Sequence, residues 1–293
     1  MHILVTDSGV GGLSVCAYAE RFVRTHGFVE PVRLTFANAA PENDYGYNSM
    51  PSREVKLETF DRYLRNVTAR YAPDLIYVAC NTLSVLLADT PYVRTAAIPV
   101  KGIVGTGAAQ LGSELERDPR SVAMIFGTQT TIDAGAYPRL LREHGVPASR
   151  IVSQACPGLA DTISEDRRGE KTNAEIVRWV GAAIEKLPRT DVPVVAFLAC
   201  THYGYRKDLF VDALAGAGMQ ATVVDPNERA VGALFGEPAG GGGSEINRAV
   251  DVEFVTRYAI PRSTVEALTF FLSDVSPRTV AAMRNFVHVP DLF

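Results

Sequence analysis

Several features that would mark a particular class of protein are scarce or missing in this sequence of 293 residues. The formal net charge of −4 provides no basic surface for nucleic acid. The longest apolar run, near Val192–Cys200, is far too short to span a membrane. Apolar sequence begins at Ile3 and leaves no room for a cationic signal segment. We therefore expect a cytoplasmic globular protein that binds neither nucleic acid nor membrane.

Cysteine is also scarce, and the spacing of cysteine and glycine excludes the common disulfide and nucleotide-binding motifs. The four cysteines stand at positions 16, 80, 156 and 200, with no Cys-x-x-Cys pair and no spacing typical of a secreted scaffold. Free thiols in a reducing compartment are the simplest interpretation. The glycine-rich turn at Gly9–Gly12 lacks the third glycine of a dinucleotide fingerprint, and no Gly-Lys-Ser/Thr sequence completes a P-loop.

Two short phrases with the same order of residue types stand out against this background. Residues 75–84 contain Cys80 and residues 195–203 contain Cys200. Each phrase is an apolar run followed by Ala-Cys and then by polar residues at the apparent start of a helix. In an open α/β sheet, ligands bind at the carboxyl ends of the strands. The phrases therefore predict a site built from two halves, each of which contributes a thiol.

Strand-like and helix-like segments alternate along the whole chain, and the pattern restarts at Ser121 as a loose internal repeat. The alternation predicts an α/β fold of two doubly wound parallel-sheet domains, related by pseudo-symmetry, with the active site in the cleft between them. We assign residues 1–98 and 210–293 to the first domain and residues 99–209 to the second. The segment after Gly240–Ser244, which has the composition of a flexible linker, is expected to pack on the first half.

Three chemistries would use two facing thiols. A redox disulfide is one, although redox pairs usually lie close in sequence. Zinc is another, but Cys200 and His202 are only two residues apart and the sequence holds no second paired ligand set, so we predict no metal site. The third is acid–base work on carbon, in which one thiolate removes a proton and the opposite thiol delivers one. That reaction inverts a stereocentre without a cofactor.

The positions of Cys80 and Cys200 favour such chemistry, whereas the other two cysteines are interpreted as core residues. Both precede a predicted helix start, where backbone N–H groups lower the pKa of a thiol. We therefore expect modest tuning to leave one cysteine as thiolate and the other as thiol near neutral pH. Asp7 is a candidate to orient a substrate ammonium or relay a proton beside Cys80, and His202 is its counterpart beside Cys200.

These residues resemble a known family. The motifs Asp7-Ser8-Gly9-Val10-Gly11-Gly12, Ala79-Cys80-Asn81-Thr82-Leu83-Ser84 and Ala199-Cys200-Thr201-His202-Tyr203 are similar, in order and separation, to the three signature motifs of glutamate racemase, in the aspartate/glutamate racemase family. Residues 127–137 and 155–157 are also similar to that family. The resemblance spans most of the chain and thins after about residue 235.

The resemblance implies an isomerase that interconverts L- and D-glutamate without a cofactor, and D-glutamate feeds peptidoglycan synthesis in the family. It implies that Cys80 and Cys200 are the acid/base pair, supported by Asp7 and His202. The residues implied in substrate binding are Ser8 at the amino group, Asn81, Thr82 and Thr201 at the α-carboxylate, and Tyr45, Gly46, Thr131 and Thr128 near the side-chain carboxylate. The expected partner is a small amino acid, and a homodimer is left open.

The sequence departs from the family pattern at three points. Asp44 replaces a proline before Tyr45-Gly46, in a longer loop, and puts an acid beside the expected carboxylate pocket. Asn38 replaces an aspartate, and residues 158–165 are more polar than the corresponding family segment. These departures leave open a racemase or isomerase that acts on another amino acid or a hydantoin. A binding, regulatory or thiol redox-sensing protein on the same scaffold is the non-catalytic alternative.

Overall fold

The computed structural model describes residues 1–28, 30–43, 45–236 and 248–293. Asp44 and the Gly240–Ser244 linker, both singled out above, lie outside these residues. The strands are β1 (His2–Asp7), β2 (Val32–Asn38), β3 (Leu75–Val78), β4 (Val100–Gly102), β5 (Val122–Gly127), β6 (Ile151–Ala155), β7 (Val194–Ala199), β8 (Ala221–Val224), β9 (Val250–Thr256) and β10 (Val287–His288).

Helices follow most of the strands. They are α1 (Leu13–His26), α2 (Arg53–Tyr71), α3 (Asn81–Ser84), α4 (Pro91–Thr95), α5 (Ile103–Arg117), α6 (Gln129–Asp133), α7 (Ala136–Glu143), α8 (Leu159–Glu165), α9 (Glu170–Ile184), α10 (Lys207–Gly216), α11 (Pro226–Phe235), α12 (Arg262–Leu272) and α13 (Pro277–Arg284). Single 3₁₀ turns cover Tyr47–Ser49, Leu87–Asp89, Ala148–Arg150 and Tyr203–Arg206. Across the described ranges, no helix is both long enough and apolar enough to cross a membrane.

The chain forms two compact units, residues 1–103 with 227–293, and residues 104–226. The first unit contains a sheet in the order β10-β9-β2-β1-β3-β4, and the second a sheet in the order β6-β5-β7-β8. All the strand pairs in both sheets are parallel. Central strands such as β5 and β7 are buried along their whole length, as strands covered by helices on both faces must be. The predicted fold class, two parallel-sheet α/β domains, is confirmed.

The two sheets share a strand order that explains the loose internal repeat. The order β2-β1-β3-β4 in the first unit corresponds to β6-β5-β7-β8 in the second. Cys80 comes two residues after β3, and Cys200 comes directly after β7. The two cysteines therefore follow equivalent strands of two sheets with the same winding.

The closing segment belongs to the first unit, as the sequence predicts. Strand β9 pairs with β2 in a parallel register that runs from Val32 opposite Val250 to Ala37 opposite Val255. Behind this ladder, the rings of Phe36 and Phe254 meet edge to face with centroids 5.1 Å apart. The segment thus adds two strands, β9 and β10, beyond β2 in the sheet, and it also contains helices α12 and α13.

Residues 210–226 lie in a different unit from the one predicted for them. Strand β8 pairs with β7, and the ring of Phe210 in α10 lies 5.2 Å from that of Phe126 and 5.8 Å from that of Tyr203. These contacts hold α10 and β8 in the second unit, so the chain crosses between units after Pro226 instead of near residue 209. The earlier crossing falls after Ile103 instead of residue 98. Strand pairing determines where one unit ends and the other begins, and no local residue pattern in the sequence predicts that boundary.

A buried cap at the start of α13 provides a test of the first unit. Ser276 is fully buried, and its Oγ accepts the Thr279 N–H at 3.1 Å. We expect Ser276→Ala to lower the free energy of unfolding by about 1 to 2 kcal/mol, measured by urea denaturation, because a buried amide donor loses its partner. Ser273→Ala is the matched control, since the exposed Ser273 hydroxyl donates to the Thr269 carbonyl one turn back. Equal losses in both variants would contradict the capping role.

Candidate active site

The carboxyl ends of β1 and β3 bring two of the sequence motifs together in the first unit. The strands are parallel neighbours, so the turn after Asp7 and the turn after Val78 share one edge of the sheet. The Oγ of Ser8 lies 3.0 Å from the Sγ of Cys80, within hydrogen-bonding distance. Asp7 is buried beside them, and only 5% of Cys80 is exposed. The structure therefore joins Asp7 and Ser8 to Cys80, which lies 72 positions after Ser8 in the chain.

Cys80 itself forms the start of the short helix α3. Its backbone is extended, with φ −69° and ψ 125°, and its carbonyl accepts the Ser84 N–H at 2.9 Å. Asn81 and Thr82 occupy the first turn and are buried. The Ser84 hydroxyl closes the turn by donating to the Val78 carbonyl at 3.1 Å. The polar residues predicted beside the thiol therefore lie at the same sheet edge as the thiol.

The pKa of Cys80 differs from the expectation for a helix start. Burial raises the pKa of the Cys80 thiol to about 12, and the negative charge of Asp7 adds to the rise. The hydroxyl of Ser8 and backbone N–H groups of Ser8 and Leu83 lower the pKa, but by less. The predicted lowering is therefore wrong, because desolvation of a buried thiolate outweighs a few hydrogen bonds. Cys80 is a protonated thiol at neutral pH.

The loop after β2 approaches the same edge. A Cβ placed on Gly46 would lie 4.0 Å from the Ser8 carbonyl, while Tyr45 beside it is 38% exposed. Asn38 begins the loop by accepting the Ala40 N–H at 2.9 Å and donating to the Tyr258 hydroxyl at 3.0 Å. Both ends of the Asn38 amide are therefore hydrogen-bonded within the first unit.

Tyr47 is a neighbour of the thiol that the sequence did not single out. The residue is buried in the 3₁₀ turn that follows Gly46. Burial raises the pKa of its phenol well above the ordinary value, with smaller contributions from Tyr63 and Cys80. Its only sequence signal is its position two residues after Tyr45, and a tyrosine there is indistinguishable from an ordinary core aromatic.

The second unit presents an equivalent edge at the carboxyl ends of β5 and β7. Gly127 and Ala199 are direct partners in the ladder, so the residues after each lie side by side. Thr128 caps α6, since its Oγ1 accepts the Thr131 N–H at 3.3 Å and lies 3.0 Å from the Thr131 Oγ1. The predicted residues at this edge, all of them buried, are Thr128, Thr131, Cys200 and Thr201.

His202 provides Cys200 with a neighbour of a different kind from Asp7. The Nδ1 of His202 lies 4.0 Å from the Sγ of Cys200. Burial lowers the pKa of the imidazole to about 4, so the ring is neutral at neutral pH. The next residue anchors the turn, because the Tyr203 hydroxyl donates to the Cys156 carbonyl at 3.2 Å and the Tyr203 N–H to the Cys200 carbonyl at 3.0 Å.

Each unit thus carries a buried thiol with one adjacent group that can influence its proton. In the described part of the chain, no group of three or more His, Cys, Asp and Glu side chains could hold a metal ion. The arrangement is suited to proton transfer at two thiols, each within its own polar surroundings.

Comparison with known proteins identifies the family. None of the protein-family models matches this chain. Glutamate racemase from Syntrophus aciditrophicus is 30% identical over 235 residues, which cover 76% of this chain and 75% of that protein. The chain belongs to the glutamate racemase family. Glutamate racemase from Sphingopyxis alaskensis is 28% identical over 227 residues, which cover 77% of this chain and 78% of that protein.

Solved structures of the glutamate racemase family share the fold. The enzyme from Francisella tularensis, solved in complex with D-glutamate, gives a TM-score of 0.70 at 19% identity over 99% of this chain and 98% of that chain. The enzyme from Campylobacter jejuni gives 0.69 at 20% identity over 93% and 98%. Family membership confirms the expected class of enzyme, an isomerase that racemises amino acids.

The lowered pKa of His202 predicts a loss of stability in mild acid. The ordinary pKa of histidine is 6.5 and that of folded His202 is about 4, so between these values the unfolded chain binds a proton that the folded chain excludes. We expect the free energy of unfolding to fall as the pH decreases from about 6.5 to about 4, with His2, whose pKa burial also lowers, sharing in the loss.

Urea denaturation at several pH values in this window measures the contribution of His202. His202→Asn should flatten the pH dependence, because asparagine takes up no proton. His144→Asn, at an exposed position of the same unit, is the matched control. A slope in His202→Asn equal to that of the unmodified chain would contradict the prediction.

Proposed function

We propose that this chain interconverts L- and D-glutamate without a cofactor, with Cys80 and Cys200 as its two acid/base groups. One observation carries the proposal. A buried thiol with a neighbouring Asp or His occurs twice, after equivalent strands of two sheets with the same strand order. Named glutamate racemases among the relatives, one of them solved with D-glutamate, support this substrate.

The chemistry that we propose needs only proton transfers. The thiolate of one cysteine takes the α-proton of glutamate and becomes a thiol, which leaves a planar carbanion conjugated with the α-carboxylate. The thiol of the other cysteine then gives its proton to the opposite face of that carbon and becomes a thiolate. The product has inverted configuration, and the two cysteines have exchanged protonation states. The proposal requires the two sulfur atoms to reach the α-carbon from opposite sides.

The two thiols suit these roles for different electrostatic reasons. Cys80, with a pKa of about 12, rests as a thiol and is ready to donate a proton. The thiolate that it leaves is a strong base, and a strong base suits removal of a proton from carbon in the reverse reaction. The imidazole of His202 is neutral and places no charge beside Cys200, whereas Asp7 places a negative charge beside Cys80.

The remaining predicted residues would hold the substrate in place. Asn81, Thr82 and Thr201 would bind the α-carboxylate, which stabilises the negative charge that develops as the α-proton leaves. Asp7 and Ser8 would contact the amino group. The residues proposed near the side-chain carboxylate are Tyr45, Gly46, Thr128 and Thr131.

Incubation with L-glutamate in heavy water tests the reaction and the substrate together. We expect D-glutamate that carries deuterium at the α-carbon, because the donated proton comes from a thiol that has exchanged with solvent. Chiral chromatography with mass spectrometry measures both. L-aspartate and L-lysine serve as comparison substrates. Exchange with one of these but not with glutamate would contradict the substrate, and exchange with no amino acid would contradict the reaction.

Replacement of each thiol tests the two-cysteine mechanism. Cys80→Ala and Cys200→Ala should each reduce kcat by about 10² to 10⁴ fold or more, since each removes one of two required proton-transfer groups. Cys16→Ala is the control, because Cys16 is fully buried within α1 and the proposal gives it no role. Undiminished racemisation in either active-site variant would rule out the mechanism.

A further inference from the structure

Gly12 precedes α1 in a backbone conformation that does not itself require glycine. Its φ of −67° and ψ of −6° are ordinary right-handed helical values, open to any residue with a side chain. The usual explanation of a glycine in a turn, a positive φ, therefore does not apply at this position. The reason for glycine here must be sought in what lies against its Cα.

The surroundings of Gly12 provide that reason. A Cβ at this position would lie 2.9 Å from the Cβ of Asp7, 2.9 Å from the Oδ2 of Asp7 and 3.0 Å from the Cβ of Ala79. Asp7 is 1% exposed and Ala79 is fully buried, so neither can move into solvent to make room. The bare Cα of Gly12 therefore forms a wall against which the Asp7 carboxylate lies, next to the residue that precedes Cys80.

The position of that carboxylate matters to the thiol. Asp7 is the charged group whose negative charge, after burial, contributes most to the raised pKa of Cys80. In the described part of this unit, the other titratable group that faces Cys80 is the phenol of Tyr47, which is neutral because burial raises its pKa well above the ordinary value. Since a Coulomb interaction depends on distance, displacement of the Asp7 carboxylate changes the proton affinity of Cys80.

We propose that Gly12 is a positioning residue that holds the Asp7 carboxylate in place beside the Cys80 thiol. Its consequence for turnover rests on the proposed two-cysteine racemisation, but its effect on the thiol does not. A side chain at position 12 would leave the helix start intact and displace Asp7. Gly12→Ala should accordingly lower the rate of glutamate racemisation about tenfold or more, within the range that general acid–base groups contribute.

A thiol-labelling experiment tests the proposal without reference to any substrate. The full-length chain is treated with iodoacetamide at a fixed mildly alkaline pH, and alkylation of the Cys80 and Cys200 peptides is followed by mass spectrometry. Because the thiolate is the reacting species, the ratio of the two rates reports the pKa of Cys80, with Cys200 as internal reference. We expect Gly12→Ala to change this ratio by about threefold or more, the effect of half a pKa unit.

Gly12→Ala in an Asp7→Asn background separates the effect of the Asp7 charge from the steric effect of the added methyl group. Asparagine has nearly the same shape as aspartate, so the added methyl group disturbs it equally, but its displacement moves no charge. Gly12→Ala should therefore leave the alkylation ratio of Asp7→Asn unchanged. A change of equal size in both backgrounds would overturn the proposal, because it would show that the methyl group acts on access to Cys80. An unaltered ratio in the folded Gly12→Ala single variant would overturn it as well.

Matched controls keep the experiment decisive. Gly232→Ala makes the same substitution at an exposed helical glycine of the same unit, where a Cβ meets no atom within 4 Å, and should leave the ratio unchanged. If Gly12→Ala does not fold, Gly12→Ala/Ala79→Gly relieves the contact with Ala79 but keeps the contact with Asp7. We expect that variant to fold and to show the altered ratio. An altered ratio that persists when Asp7 is also replaced by Asn would count against the proposal. Altered labelling without racemisation would refute only the proposed function.

Discussion

Parallel pairing of neighbouring strands is the constraint on which each half of the candidate site depends. Because parallel strands end at the same edge of a sheet, the residues that follow β1 and β3 meet, and so do those that follow β5 and β7. Ser8 lies beside Cys80 because β1 pairs with β3. Thr128 lies at the same edge as Cys200 because β5 pairs with β7. An antiparallel neighbour would carry its polar turn to the opposite end of the sheet.

The two thiols occupy equivalent positions and yet differ in their electrostatic surroundings. Cys80 has a buried carboxylate beside it, whereas Cys200 has a neutral imidazole. A negative charge favours the protonated thiol, whereas a neutral ring adds no such charge beside the second thiol. A reaction that uses the two groups in opposite roles benefits from this difference, because donor and acceptor are then distinct before substrate binds.

Burial decides the chemistry of Cys80 more than its place at a helix start does. Backbone N–H groups and the Ser8 hydroxyl stabilise the thiolate, but loss of water around it destabilises it by more. The local sequence can predict a helix start, since Ala-Cys-Asn-Thr follows an apolar run. It cannot predict how completely helices and loops distant in the chain will bury the Cys80 sulfur.

Local departures from the family pattern are absorbed by hydrogen bonding within the first unit. Asn38 uses both ends of its amide, one toward Ala40 and one toward Tyr258, which is over 200 positions away. The longer loop that it begins still brings Gly46 close to the Ser8 carbonyl. At this edge of the first sheet, an amide therefore stands where an acid is expected, and both ends of the amide are hydrogen-bonded.

The sequence by itself determined the class of fold, because apolar runs that alternate with helical periodicity specify strands buried on both faces by helices. It also determined the candidate catalytic residues, since the Ala-Cys phrases and the turn after Asp7 are local patterns. Only the tertiary structure decided that α10 and β8 pack in the second unit, that the Cys80 pKa is raised, and that Gly12 lies against Asp7. Each of these depends on contacts between residues far apart in the chain, and such contacts leave no periodic trace in the sequence.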